Sequence, residues 1–177
     1  MKKIILSMAT LLVLAVSAVA VPASWQIAGK YTIRFTGGGE VGGIFKTLKG
    51  DVVFDEQNPA TSHFALGIDV ASINTGNGLM NTHAKSADWF DAAKYPIIKF
   101  TSKKIEKAGA AYKVTGDLEI HGVKKEVTLP FTFNSKGSAA TFTAKFTINR
   151  NDFHIGKAGG EVDENIKLDI MVPVVKK

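Results

Sequence analysis

Cysteine is absent from the 177 residues. That excludes a disulfide framework, a thiolate nucleophile and a lipid anchored on cysteine, so stability has to come from burial and backbone pairing. The catalytic signatures are missing too. No serine stands in a Gly-x-Ser-x-Gly elbow, and "FTGGGEVGG" lacks the Gly-Lys-Ser/Thr ending of a phosphate loop, so a strand-joining loop suffices for it. The four histidines, His63, His83, His121 and His154, fall at no spacing typical of a zinc site. Asp163 and Glu164 read as a solvated turn. Internal repeats, low-complexity runs and linkers do not occur.

The formal charge is +6, but it forms no stripe. Lysines are scattered through stretches such as "FTSKKIEKAG" and "HGVKKEV" without interleaved aromatics, so nucleic acid is not an expected partner. A solvated surface, transient contact with anionic lipid head groups and pairing of two barrels are all compatible with this balance.

The N-terminus carries an address. Lys2 and Lys3 are followed by an apolar stretch from Ile4 to Val16 and by the small-x-small triplet Ala18-Val19-Ala20. The stretch is shorter than the roughly 20 residues of a spanning helix. It reads as a secretory signal, residues 1–20, which predicts an exported, periplasmic domain over 21–177, soluble after cleavage. That length is one ordinary domain with room for a core.

From Trp25 onward the dominant period is two. Tyr31, Ile33 and Phe35 alternate with polar residues, as do Phe64, Leu66, Ile68 and Val70, and Tyr112, Val114, Leu118 and Ile120. The same holds for Val127, Leu129, Phe131 and Phe133, for Phe142, Ala144, Phe146 and Ile148, and for Leu168, Ile170, Val172 and Val174. Adding "GIFKTLKGDVVFD" and "YPIIKFTSKKI" gives about eight strands, each with one wet and one greasy face. Turn residues at short spacing join them as hairpins, which predicts an all-β, antiparallel barrel or sandwich. In "EIHGVKKE", His121 and Gly122 read as a hairpin turn, and His63 reads as an exposed strand start.

One segment, Ser72 to Lys94, loses the alternation. Ala84, Ala87, Ala92 and Ala93 favour helix, Ser86 is placed to cap one from Ala87, Asp88 suits its first turn and Pro96 stops it. The expectation is one short helical insertion, with Phe90 turned toward the barrel and Trp89 at its edge. Whether eight such faces enclose packed side chains or a cavity is a choice that periodicity leaves open.

The stretches "GDVVFD" (50–55), "SINTGN" (72–77), His83, "KSADWFDAAKYPIIKFTS" (85–102), "VTGDLEIHGVKKEVTLPFTF" (114–133) and "INRNDF" (148–153) share an order and spacing. In these the chain resembles the YceI family of bacterial periplasmic proteins. The resemblance implies a lipocalin-like antiparallel barrel whose apolar tunnel holds a long isoprenoid or quinone-type lipid, for binding, storage or transport. It implies no catalysis and no cofactor beyond such a lipid. The chain departs from the family in lacking the His-Ser pair of the first strand, in carrying Asn81-Thr82 where an acid precedes His83, and in reading Phe153-His154 for Phe-Gly.

From alternation and resemblance together, the expected ligand-contacting residues are Phe35, Phe54, Phe64, Leu66, Ile68, Phe90, Phe100, Leu118, Ile120, Leu129, Phe131, Phe142 and Phe146. His83 joins them, either bonding a ligand head group or pinning the loop at the mouth; the alternative is that it caps local backbone. The rival to a carrier is a stress-related structural or interaction protein with a side-chain-filled barrel. N-terminal sequencing of the exported protein should begin at Val21. A mature chain that retains Met1 to Ala20 overturns the signal reading.

Overall fold

A computed structural model describes residues 22–177, and the expected signal segment lies outside them. Eleven strands and one α-helix make up the regular structure of those residues. Five long strands are simple: β7 (Ile97–Ala108), β8 (Ala111–Ile120), β9 (Val123–Lys136), β10 (Ala139–Asn149) and β11 (Asn165–Lys176) run antiparallel, each beside its predecessor.

The other six are three barrel strands, each broken in two. β1 (Ser24–Ile27) and β2 (Thr32–Thr36) lie end to end on one edge of β11, through pairs such as Trp25↔Lys176 and Thr32↔Met171. β3 (Gly42–Phe45) and β4 (Leu48–Val53) run back along them. β5 (His63–Asp69) and β6 (Ile73–Asn74) follow, and β5 hands over to β7. The circuit is therefore a closed, eight-stranded antiparallel up-and-down barrel, closed by the β1–β11 pairing, while the short β6 pairs on one side only.

The three breaks fall side by side, and side chains complete the interrupted ladder. The Tyr31 hydroxyl donates to Lys46 O (2.8 Å) and accepts from Leu48 N (2.8 Å). The Ser72 hydroxyl accepts from Lys46 N and Thr47 N (3.1 and 3.0 Å) and donates to Asp69 O (2.6 Å). A barrel wall can bend here because the two hydroxyls take up Lys46 N, Lys46 O, Thr47 N and Leu48 N, which the bend removes from the ladder. A second irregularity is a bulge in β7 between Ser102 and Lys104. It re-phases the strand, so that Ile98, Phe100 and Ser102 face inward before it and the fully buried Ile105 after it.

The two-residue β8–β9 hairpin places His121 and Gly122 at φ 52° and 76°, the left-handed pair of a type I′ turn. His154 is also left-handed, at φ 56°. It closes a short 3-10 turn, Arg150–Phe153, where the resemblance implied a glycine. Its carbonyl accepts from His121 Nδ1 at 3.1 Å when that nitrogen carries the proton.

The helix is not where the alanines pointed. α1 spans Gly78–Ala84, and its cap is Asn77, whose side chain accepts from Leu79 N and Met80 N (2.9 and 3.2 Å). Residues 86–95 form successive turns instead. Ser86 O accepts from Asp91 N (2.8 Å), and Asp91 at φ 43° reverses the chain before any helix can grow. Packing of Trp89 and Phe90 against the barrel outweighs the few tenths of a kcal/mol per residue of helix propensity in the alanines.

Removing the Tyr31 hydroxyl should leave one donor and one acceptor of the broken ladder without a partner. Tyr31→Phe is expected to cost about 1–2 kcal/mol, read as a lower denaturation midpoint with an unchanged m-value. A midpoint equal to wild type refutes the role.

Candidate functional site: an apolar chamber in the barrel

The inward faces do not fill the barrel. They enclose a cavity of about 610 Å³, within the range of roughly 300–1,000 Å³ usual for small-molecule sites. The side-chain-filled barrel of the rival reading is thus met at one end only. There Trp25, Phe54, Phe64, Tyr112, Phe131, Phe133 and Phe142 form a floor of mostly edge-to-face rings. Phe54 is its hub, with ring centroids 4.7 Å from Phe133 and 5.0 Å from Tyr112. Burial, and then the Glu56 charge, push the Tyr112 phenol above its ordinary pKa.

This corrects one expected residue. Phe54 is 1% exposed but does not reach the cavity. It follows the last residue of β4, where the chain leaves the sheet, and its ring turns under the chamber rather than into it. The other aliphatic and aromatic candidates line the wall: Phe35 from β2, Phe64, Leu66 and Ile68 from β5, Phe100 from β7, Leu118 and Ile120 from β8, Leu129 and Phe131 from β9, and Phe142 and Phe146 from β10.

The opposite end is built from connections rather than strands. Leu79, Met80, His83 and Ala84 of α1 line it, with Trp89 and Phe90 from the turns, Ile155 and Val162 from the segment between β10 and β11, and Val41 from the β2–β3 turn. Leu79 is 80% exposed and still borders the cavity, so the chamber reaches solvent beside α1. Most of these residues escape a period-two reading because loops have no period. Both members of the Trp89-Phe90 pair reach the chamber, since the chain reverses there instead of continuing as a helix.

Three polar side chains border the cavity: Thr75, His83 and Arg150. The Thr75 hydroxyl is engaged locally, 2.9 Å from Asn81 Oδ1 and 3.1 Å from Asn77 O. His83 is exposed, and its ring lies 5.5 Å from that of Trp89, with no side-chain hydrogen bond among the described residues. The local bonding expected of its alternative role is made by its backbone carbonyl, which accepts from Lys85 N and Ser86 N. Arg150 is 2% exposed and lies over the Trp89 ring at 5.6 Å. Among the described residues no group of three or more His, Asp or Glu side chains converges as a metal site.

Phe54→Ala should cost about 3–5 kcal/mol, because it empties the centre of a close-packed ring cluster. Phe146→Ala, which enlarges an existing hollow, should cost less. Urea denaturation of both variants checks the order, and the reverse order would contradict a solid floor beneath a hollow chamber.

A family profile described as a YceI-like domain matches residues 20–174. A UPF0312 protein of Pseudomonas putida strain W619 is 37% identical over 142 residues, covering 76% of this chain and 73% of that one. Protein YceI of Escherichia coli O157:H7 is 35% identical over 141 residues, covering 76% and 74%. Among solved structures, BcnA of Burkholderia cenocepacia superposes with a TM-score of 0.77 at 30% identity, over 81% of this chain and 95% of that one. A polyisoprenoid binding domain from Saccharophagus degradans, implicated in plant cell wall breakdown, shares the fold with a TM-score of 0.65 at 16% identity, covering 89% and 100%.

Proposed function

We propose, from the premise that this chain belongs to the YceI family, that its chamber binds one long apolar lipid, an isoprenoid or quinone-type chain, for storage or transport in the periplasm. The observation that carries the reading is the chamber itself: about 610 Å³ of space walled by carbon, open at one end and floored by edge-to-face rings. Apolar walls of this kind favour hydrocarbon over water. Each CH₂ moved from water into such a wall gains roughly 0.8 kcal/mol, so a chain of several isoprene units needs no hydrogen bond to be held.

Selectivity then follows from width and depth. A sugar or nucleotide would strand its hydroxyls against Leu, Ile, Val and Phe, at a cost of several kcal/mol. The ring floor sets how far a chain can descend. The reading is of a binder rather than a catalyst. In support, the polar groups on the wall include no carboxylate, and the one hydroxyl, on Thr75, is committed to Asn77 and Asn81. The likeness to the Saccharophagus domain agrees with this reading, although at 16% identity it speaks for the fold.

Organic extraction of the purified mature protein should release one long-chain lipid per chain, identified by mass spectrometry. Ala144, on the wall from β10, offers a blocking variant: Ala144→Phe should fill the lumen and abolish lipid retention while the barrel stays folded by circular dichroism. A wild-type extract free of lipid, together with failure to take up prenyl chains in vitro, would overturn the reading.

A further inference from the structure

Sulfur in this chain is carried by methionine alone, since cysteine is absent. Met1 and Met8 fall in the expected signal segment, which leaves Met80 and Met171 among the described residues. The exposures of these two are nearly equal, 40% and 39%. Their surroundings differ. Met171 stands on the outward face of β11, in register with Thr143 on one side and Thr32 on the other, while its neighbours Ile170 and Val172 line the chamber. Met80 lies on α1 and borders the chamber where it reaches solvent.

The cap of α1 holds Met80 in place: Asn77 Oδ1 accepts from Met80 N at 3.2 Å and fixes the backbone from which the side chain projects. His83 and Ala84, three and four residues on, share its helix face and border the same space. The thioether is thus a piece of the apolar wall and open to water together. A small oxidant can reach it from outside, and a chain in the chamber touches it from inside.

Resting on the lipid-binding reading above, we infer that Met80 is an oxidation site that sets how firmly the chamber holds its ligand, with a peroxide as the oxidant. The sulfur lone pair attacks one peroxide oxygen. An S–O bond forms, the O–O bond breaks, and the proton of the transferred oxygen passes to the departing one, which leaves as water. Sulfur is oxidised by two electrons to the sulfoxide and the peroxide is reduced by two. The product is a polar acceptor with no proton of its own. Turned inward, it strands that oxygen against carbon; turned outward, it takes the side chain off the wall. Both outcomes weaken the hold on an apolar chain at the opening. A bound lipid in turn covers the inner side of Met80 and shields it, whereas Met171 is indifferent to occupancy.

The test treats the mature protein, delipidated or loaded with geranylgeraniol, with hydrogen peroxide. Peptide mass spectrometry follows each methionine, and isothermal titration gives geranylgeraniol affinity before and after. In the empty protein both methionines are expected to oxidise at rates within about threefold of each other, because their exposures match. Loading should slow Met80 about fivefold or more and leave Met171 unchanged. Oxidation should weaken geranylgeraniol binding about tenfold. Met171→Leu should show the same drop, and Met80→Leu, whatever its starting affinity, should show none. Unchanged affinity with Met80 fully oxidised overturns the proposal and leaves the lipid reading standing. So does a drop that persists in Met80→Leu, a Met80 that resists peroxide in the empty protein, or one that reacts equally fast empty and loaded. If geranylgeraniol does not bind before oxidation, the underlying reading falls with it. The wild-type rates and Met171→Leu decide on their own if Met80→Leu does not fold.

Discussion

Closure of the barrel where β11 meets β1 and β2 is the constraint on which the chamber depends. One long strand bridges two short ones across a break, so the ring of hydrogen bonds stays closed although the strand itself is interrupted. A closed sheet of eight strands has an interior whose size is set by strand number and stagger, not by how large its side chains are. The inward residues of this chain fill the floor and leave the remainder hollow.

The breaks in the strands are what let the wall be continuous and bent together. Tyr31 and Ser72 stand in for missing ladder bonds, and each does so with one hydroxyl acting as both donor and acceptor. At the floor the economy is different. Aromatic edges meet aromatic faces around Phe54, which adds directional preference to plain burial. Ring-packed at that end and loop-built at the other, the barrel opens to solvent beside α1.

At the open end, residues from four separate connections meet: the β2–β3 turn, α1, the 86–95 turns and the 150–164 segment. Arg150 ties three carbonyls of the last of these to the chamber's rim, and Trp89 covers its flat face. Ordered loops at a barrel mouth commonly carry function while the sheet supplies stiffness. Here the sheet supplies the apolar capacity and the connections supply all the charge that borders it.

The alternation of apolar and polar residues determined by itself which face of most strands is buried, because side chains alternate between the two faces of a sheet; in β7 the bulge re-phases it. Ile33 and Phe35, Leu66 and Ile68, Phe142 and Phe146 were legible in that way, as was the left-handed turn at His121-Gly122. Local chemistry misplaced the helix: alanine propensity is weak, and the Asn77 cap and the reversal at Asp91 outweighed it. Alternation continues past the end of β4 and so points Phe54 at the wall, whereas its ring turns into the floor. What only the tertiary structure decided is the hollow and its polar mouth. A void is the difference between the circumference of a ring and the volume of the side chains inside it. The meeting of Arg150 with Trp89 and His83 depends on loops that no period describes.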